Sequence, residues 1–153
     1  MPKEKILIID DDEEECRILE SHFGRMGYKV IYTPRLEEAE DYLEKGLAQG
    51  QPIEVMMLNH FLYERTTKPF LERVRRKYSS TEPILSLEKE DEIPRKSLDD
   101  IYGIEDPILC LEKPYTYSAN SRLYDALIIA LNKREERLSQ NVREIYSEEI
   151  QNA

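Results

Sequence analysis

Short apolar runs alternate with amphipathic stretches along most of this chain. Five runs of four or five residues are rich in Ile, Leu, Val and Met and are bounded by polar residues. Near-continuous apolar runs of this length are typical of strands buried on both faces of a sheet. The stretches between them carry apolar residues at helical spacing. The predicted strands are residues 5–9, 29–32, 54–58, 84–87 and 108–111, and the predicted helices are 13–25, one starting at Thr33-Pro34, 69–78, one near 96–102, and one from about 118 onward.

This alternation predicts an α/β domain with a parallel sheet, because each parallel pair of strands needs a crossover connection. In such sheets, ligands bind beyond the carboxyl ends of the strands, where the strand order reverses. Polar side chains follow four of the five predicted strands at or just beyond their ends. These residues are Asp10, Asp11, Asn59, Glu88 and Lys113. The pattern therefore predicts one shared site at this edge of the sheet.

Three motifs, taken in their order along the chain, resemble the receiver domain of two-component response regulators. They are Ile9-Asp10-Asp11, the run 54–58 that leads to Asn59, and Lys113-Pro114-Tyr115. The resemblance covers about residues 5–131. It implies a doubly wound, flavodoxin-like (βα)5 fold with a five-stranded parallel sheet and an extended C-terminal helix. We therefore expect a receiver-like domain at residues 1–131, a helical extension at 132–153, and a stand-alone receiver.

The implied pocket departs from the family pattern at several positions. In receivers, an aspartate that ends the third strand accepts the phosphoryl group, a Thr or Ser ends the fourth strand, and an aromatic residue in the fifth changes rotamer on activation. Here these positions are occupied by Asn59, Glu88 and Cys110, although a two-residue slip would offer Ser86 as the hydroxyl. The loop at 60–67 lacks the usual Pro and Gly. Its bulky side chains are expected to cover the pocket mouth.

These departures predict that the phosphotransfer chemistry fails. Asn59 is a poor acceptor because the amide nitrogen lone pair is delocalised and the carbonyl oxygen carries no full charge. Loss of one anionic ligand weakens magnesium binding, which leaves Asp10 and Asp11 as weak Mg²⁺ ligands, with no other cofactor expected. An ionised Glu88 only accepts hydrogen bonds and would repel a phosphoryl group. We expect Lys113 to pair with these acids and to fix the strand ends, the alternative being a Glu88 that points to solvent.

Other polar residues have ordinary structural interpretations. Residues 12–15 carry carboxylates that interact favourably with a helix N-terminus. His60 has no second ligand at suitable spacing and is predicted to be an ordinary loop histidine, and His22 lies on the apolar stripe of its helix. Cys16 and Cys110 lack metal-ligand spacing and are predicted to be buried or half-buried thiols rather than a disulfide.

The C-terminal extension carries an apolar stripe. Leu131, Leu138 and Ile145 are spaced as heptads, and Val142 widens the stripe. A helix that projects beyond the domain must either fold this stripe back or present it to a partner. A homodimer through this helix is therefore one hypothesis.

Charge and hydropathy exclude some partners. The net charge of −10 argues against general nucleic-acid binding, which depends on Lys and Arg contacts to phosphates. The basic cluster at 73–77 is interpreted as a solvated helix face. The chain has neither a twenty-residue apolar stretch nor an opening basic and apolar leader, so we expect no membrane contact and a cytoplasmic location.

The leading functional hypothesis is a pseudo-receiver, a signalling module without enzymatic activity that acts through protein–protein contacts. Its partner would be a histidine kinase or another regulator, and the resemblance places the contact face on the fourth helix, fifth strand and fifth helix. One alternative is a phosphorylation-dependent receiver of a phosphorelay, with Asn59 as an engineered or deamidatable acceptor. Another is a metal-binding enzyme on the same scaffold, for which we find no nucleophile–base pair and no Gly-rich phosphate loop.

Overall fold

The structure, a computed structural model, describes residues 4–63, 65–88, 108–115, 117 and 121–151, with side chains as far as Arg143. The helix predicted near 96–102 and the helix start predicted at 118 lie outside these residues. The strands are β1 Lys5–Ile9, β2 Lys29–Thr33, β3 Val55–Asn59, β4 Phe61–Leu62, β5 Arg65–Thr66, β6 Glu82–Leu87 and β7 Leu109–Glu112; the helices are α1 Glu13–Arg25, α2 Leu36–Ala48, α3 Lys68–Lys77 and α4 Arg122–Gln151.

Five of the strands form one parallel sheet in the order β2-β1-β3-β6-β7. The chain moves outward from β1 to β2 and then returns to β3 on the other side of β1. The strand order therefore reverses beside β1, and the predicted doubly wound sheet is confirmed. Ligand sites in such sheets form at the carboxyl ends of the strands flanking this reversal.

Two apolar cores cover the two faces of the sheet. Alternate β1 residues point to opposite faces, as the two-residue period of a strand requires. Leu7 and Ile9 pack with α2 and α3, whereas Ile6 and Ile8 pack with α1 and α4. All four of these side chains are buried, which explains why the strands read as continuous apolar runs.

The structure corrects two predicted element boundaries. Thr33 does not cap α2, because its backbone continues the β2 ladder opposite Ile9 and its carbonyl accepts the Asp10 amide at 3.2 Å. Arg35 is the N-cap instead, without a side-chain hydrogen bond. β6 begins at Glu82, two residues earlier than predicted. Gly27, with φ of 97°, has the left-handed conformation expected just after α1.

A small antiparallel hairpin, β4–β5, follows β3 and was not predicted. Thr67 ties its base to the sheet, because its hydroxyl donates to the carbonyls of Asn59 at 2.8 Å and His60 at 3.1 Å. His60 lies in this junction and is buried rather than an ordinary loop residue. The sequence predicted the place of His60 after β3 but not its burial.

The basic cluster of α3 bridges two helices. Arg73 pairs with Glu40 of α2 at 2.8 Å, and Lys77 pairs with Glu44. These side chains stay partly solvated, as predicted, but two of the cluster's charges are matched by acids of α2. These ion pairs join α3 to α2 on the outside of the domain.

The C-terminal helix, which the sequence counts as the fifth and which is labelled α4 here, is continuous over 30 residues, or roughly 45 Å at 1.5 Å per residue. Leu131 packs against the α1–α4 core, so the stripe folds back at its first position. Lys133, Arg134 and Arg137 also contact the domain across the expected division at residue 131. In the part of the chain that the structure describes, no helix has both the length and the apolar character to cross a membrane.

Candidate functional site

The sheet register brings four of the predicted site residues together. β1 and β3 pair so that Ile9 lies opposite Leu58, which places the next residues, Asp10 and Asn59, at adjacent strand ends. β6 and β7 pair through Leu87 and Glu112. The residues that follow these two strands, Glu88 and Lys113, therefore meet beside the first pair. We refer to Asp10, Asn59, Glu88 and Lys113 as the strand-end pocket.

Lys113 is the centre of this pocket. Its ammonium forms an ion pair with the Asp10 carboxylate, and both side chains are buried. The same ammonium lies 3.2 Å from Glu88 Oε1. The expected pairing of Lys113 with Asp10 and Glu88 is thus present. Asp11, in contrast, points outward and accepts the Tyr63 amide at 3.4 Å.

Every oxygen of the Asp10 carboxylate faces a donor from the protein. Oδ2 contacts Lys113, while Oδ1 accepts the Asp12 amide at 3.0 Å and the Asn59 side-chain amide at 3.4 Å. Burial raises the pKa of Asp10, and the Lys113 ammonium and the Asp12 amide oppose this rise without cancelling it.

The pocket lysine has the opposite balance of effects. Burial acts to lower the pKa of Lys113, but its hydrogen bond and charge contact with Asp10, together with the charge of Glu88, raise it above its ordinary value. The lysine is therefore protonated at neutral pH. A charged donor is present at this strand end, and two carboxylates of the same chain already contact it.

Asn59 lies at the end of β3 and only 3% of it is exposed. Its Nδ2 faces Asp10, and the flipped orientation would place an amide oxygen against a carboxylate. Its Oδ1 is buried without a hydrogen-bond partner among the residues that the structure describes. The His60 backbone nitrogen donates to the Ser86 carbonyl at 2.9 Å. Deamidation requires this same nitrogen to attack the side-chain amide carbon of Asn59. The hydrogen bond to Ser86 therefore disfavours deamidation.

The slipped alternative for the hydroxyl position, Ser86, has a different partner. Ser86 is buried opposite Asn59 in the β3–β6 register, and its Oγ accepts the Tyr115 hydroxyl at 2.7 Å. Burial raises the pKa of Tyr115, so the phenol stays protonated. Sequence reasoning missed this contact. The available signal in the sequence was the hydroxyl group of Tyr115, the residue directly after Lys113-Pro114.

An acidic cleft of about 370 Å³ opens beside the strand-end pocket. Tyr63, at the tip of the β4–β5 hairpin, lies at its mouth with a φ of 50° and is strongly exposed. Of the bulky residues expected at the pocket mouth, Tyr63 is the one that lines this cleft. The cleft is lined by Asp10, Asp11, Glu13, Tyr32, Thr33, Pro34, Glu38 and Tyr63.

The donor set does not fit a divalent cation of the kind that receivers bind. Within the described parts of the chain, no group of three or more His, Cys, Asp or Glu side chains is placed to hold a metal ion. Asp10 is already engaged by Lys113, and Asn59 supplies no charge. A cation at Asp10 would compete with the lysine ammonium for the same carboxylate.

Both cysteines are free thiols, as predicted. Burial raises the pKa of Cys16 to about 12, so this thiol is unreactive at neutral pH. Cys110 lies in β7, is half-buried against the α2–α3 core, and its Sγ is 3.6 Å from the Ile108 carbonyl. It is a small side chain at the position where the resemblance implies an aromatic switch.

No family model matches the chain. Over 55 residues, 36% of this chain, it is 33% identical to the transcriptional regulatory protein AruR of Pseudomonas aeruginosa, and the match spans only 22% of that relative. The activity of the whole relative therefore does not transfer to this chain directly.

Solved structures show the fold. A response regulator receiver domain protein (CheY-like) from Methanospirillum hungatei superposes with a TM-score of 0.70 at 15% identity, over 89% of this chain and 99% of that one. The signal receiver domain of an HD domain-containing protein from Pseudomonas fluorescens gives 0.68 at 19%, over 88% and 99%. A receiver domain protein from Clostridium thermocellum gives 0.64 at 18%, over 90% and 98%. The chain has the receiver-domain fold.

Proposed function

We propose that this chain is a receiver-like signalling module that works through protein–protein contacts and holds no phosphoryl group at residue 59. The observation that supports this most is the engagement of Lys113 by two carboxylates of its own chain. A lysine that already balances Asp10 and Glu88 has little capacity left for an incoming phosphoryl oxygen. The pocket is charged, but its charges are balanced internally.

Glu88 adds a second obstacle, independent of Asn59. Half of its side chain is exposed, and it lies 3.2 Å from the lysine ammonium. A carboxylate there occupies the side of Lys113 that an anion from solvent would approach, and like charges repel. Restoring an acidic acceptor at residue 59 therefore does not by itself restore the chemistry, because the counter-charge remains occupied.

The partner class follows from the fold and from the described surface. The printed names of the fold relatives describe signal receiver and response regulator proteins, so the proposed partner is a histidine kinase or another regulator. Ile128 and Ile129 expose apolar surface on α4, within the contact face that the resemblance implies. Because such side chains are favourable when buried at an interface, contact through α4, including a homodimer, is part of the proposal.

The pocket's cation chemistry is proposed to be weak. Asp10 and Asp11 are the remaining acidic candidates for Mg²⁺, but the lysine ammonium competes for the first and the second accepts a backbone amide. Mg²⁺ gives up its hydration water reluctantly and gains little from one free carboxylate. The chain is accordingly proposed to act without a bound cofactor and without enzymatic turnover.

Intact mass spectrometry after incubation with acetyl phosphate and Mg²⁺ tests this proposal. The unaltered chain should show no stable adduct of roughly +80 Da, the mass of one phosphoryl group. Asn59→Asp should label poorly, and Asn59→Asp with Glu88→Thr should label well, since the double variant restores the acceptor and frees the lysine.

Each outcome separates the hypotheses. An adduct on the unaltered chain would support a phosphorylation-dependent receiver and overturn the proposal. Efficient labelling of Asn59→Asp alone would show that Glu88 is not an obstacle and that residue 59 alone is altered. The variant Glu38→Thr serves as control, because it removes a carboxylate from the cleft while leaving the contacts of Lys113 in place.

A further inference from the structure

A second buried carboxylate lies at the opposite end of the sheet. Glu82 opens β6 and is 0% exposed, although Glu is among the residues least often fully buried. Its backbone amide donates to the Glu54 carbonyl at 2.8 Å, which holds it in line with β3. An ionised carboxylate in such a place needs positive partners, because burial of an unpaired charge is strongly unfavourable.

Among the described residues, two cations that pair with Glu82 come from α4. Arg137 Nη2 lies 2.6 Å from Glu82 Oε2, and Lys133 Nζ lies 3.5 Å from Oε1. These two cations are four residues apart and therefore share one face of the helix. Both side chains are about three-quarters buried. At such sites, the attraction is screened less by water than it is at the surface.

The same helical turn holds the backbone that precedes Glu82. Arg134 Nε donates to the Ser80 carbonyl at 2.5 Å, and Arg137 Nη1 donates to the Ser79 carbonyl at 3.3 Å. This backbone is fixed to the sheet in turn, because the Thr81 hydroxyl donates to the Ile53 carbonyl at 2.6 Å. One turn of α4 thus contacts the connection between α3 and β6 through both ion pairs and hydrogen bonds.

We propose that Glu82, Lys133 and Arg137 form a latch that fixes the direction of the C-terminal arm, residues 132–151, relative to the sheet. Most helical stability in proteins comes from tertiary packing rather than from intrinsic propensity, so the arm depends on its contacts with the domain. If the arm detached, Glu82 would lose these counter-charges and the helix that covers it, and the amino end of β6 would be exposed to water. The arm and the adjoining part of the sheet therefore open together.

The latch is independent of the strand-end pocket. Glu82 lies at the amino end of its strand, whereas Glu88 and Lys113 lie beyond the carboxyl ends. A partner that binds the arm meets a helix held in a fixed direction, rather than a tail that must first be ordered.

Hydrogen exchange of the full chain tests the latch. Arg137→Met removes one cation and keeps a good helix former. Arg143→Met makes the same change six residues further along the same helix, at an exposed position. Arg137→Met should speed exchange in the arm and in the segment around residues 79–88, on the order of tenfold, as local opening loses a buried charge contact. Arg143→Met should leave both segments unchanged.

A double-variant cycle with Glu82→Gln completes the test. If the latch exists, Arg137→Met should accelerate exchange far less in the Glu82→Gln background, because its partner charge has already been removed. Equal effects of Arg137→Met and Arg143→Met would overturn the proposal, and so would strictly additive effects in the cycle. If Glu82→Gln does not fold, the comparison of the two arginine variants still decides the question.

Discussion

The two ends of the parallel sheet each bury a carboxylate against cations from a distant part of the chain. At the carboxyl end, Asp10 of the β1 end pairs with Lys113. At the amino end, Glu82 pairs with Arg137 and Lys133. The pocket cluster has a half-exposed third member, Glu88. The latch cluster places its acid entirely inside and leaves only the cations partly exposed.

The difference shows that an ion pair's surroundings decide what it can do. A cluster with an exposed carboxylate and an adjoining cleft can interact with a solute or a partner, so the strand-end pocket is a candidate for function. A cluster whose acid is closed off by its own helix offers no open carboxylate to a solute, so its proposed role is in stability and direction. The same side-chain chemistry is therefore a candidate for recognition at one edge and for a structural role at the other.

The largest expected effect comes from removing the latch cations together. Replacing Lys133 and Arg137 together by Met keeps the helix over Glu82 but leaves the acid buried without these counter-charges, and we expect a loss of about 3–5 kcal/mol in the free energy of unfolding. That is a large share of a typical domain stability of about 5–15 kcal/mol. Urea denaturation followed by circular dichroism measures the change.

The matched control is a chain that ends after Arg143, which keeps the latch and removes only the distal arm. It should lose less than about 1 kcal/mol, because exposed helix ends contribute little. Equal losses in the double Met variant and in the shortened chain would mean that leaving Glu82 without counter-charges has no measurable cost. The buried ion pairs at the amino edge would then not be needed for stability.

A smaller effect is expected at the pocket. Lys113→Met leaves Asp10 buried without its cation, and we expect a loss of about 2–3 kcal/mol at pH 7. Lys68→Met, at an exposed lysine paired with Glu72, is the control and should change stability little. Unchanged stability of Lys113→Met would show that the lysine does not fix the strand ends.

The pH dependence of Lys113→Met checks the same point. A carboxyl whose pKa is higher in the folded than in the unfolded chain takes up a proton on folding, so its contribution to stability falls as the pH rises. Burial already raises the pKa of Asp10 in the intact chain, and loss of Lys113 removes an interaction that opposes this rise. The defect should therefore be smaller at pH 5 than at pH 7. Denaturation curves at both pH values measure it.

The fold and the strand-end pocket were largely predictable from the sequence because both depend on local signals. Apolar runs predict buried strands, and parallel strands bring residues after each run, such as Asp10 and Lys113, to one edge. The latch was not predictable in the same way. Glu82 is an ordinary acid two residues before the predicted strand, and nothing in the helical spacing of Lys133 and Arg137 indicates which distant acid they meet.

The β4–β5 hairpin and the burial of His60 escaped prediction for a related reason. Strands of two residues carry no periodic signal, and the burial of a side chain after a strand depends on which segment folds over it. The same applies to the Tyr115–Ser86 hydrogen bond, which joins residues 29 positions apart. Local pattern therefore predicts elements and edges, whereas contacts between elements need the three-dimensional arrangement.

The smallest effect on stability is expected from Glu88→Thr. The Glu88 side chain is half exposed, and a carboxylate at such a position contributes about 0–1 kcal/mol to an ion pair, because water already solvates much of its charge. Lys113 also keeps its buried partner Asp10 in this variant. Denaturation should thus barely distinguish Glu88→Thr from the intact chain, in contrast to changes at the two buried acids. A loss above about 2 kcal/mol would place Glu88 with Asp10 and Glu82, as a member of the buried framework. Glu88 would then not act as the solvent-facing part of the pocket. The strand-end pocket and the latch would both be closed charge clusters.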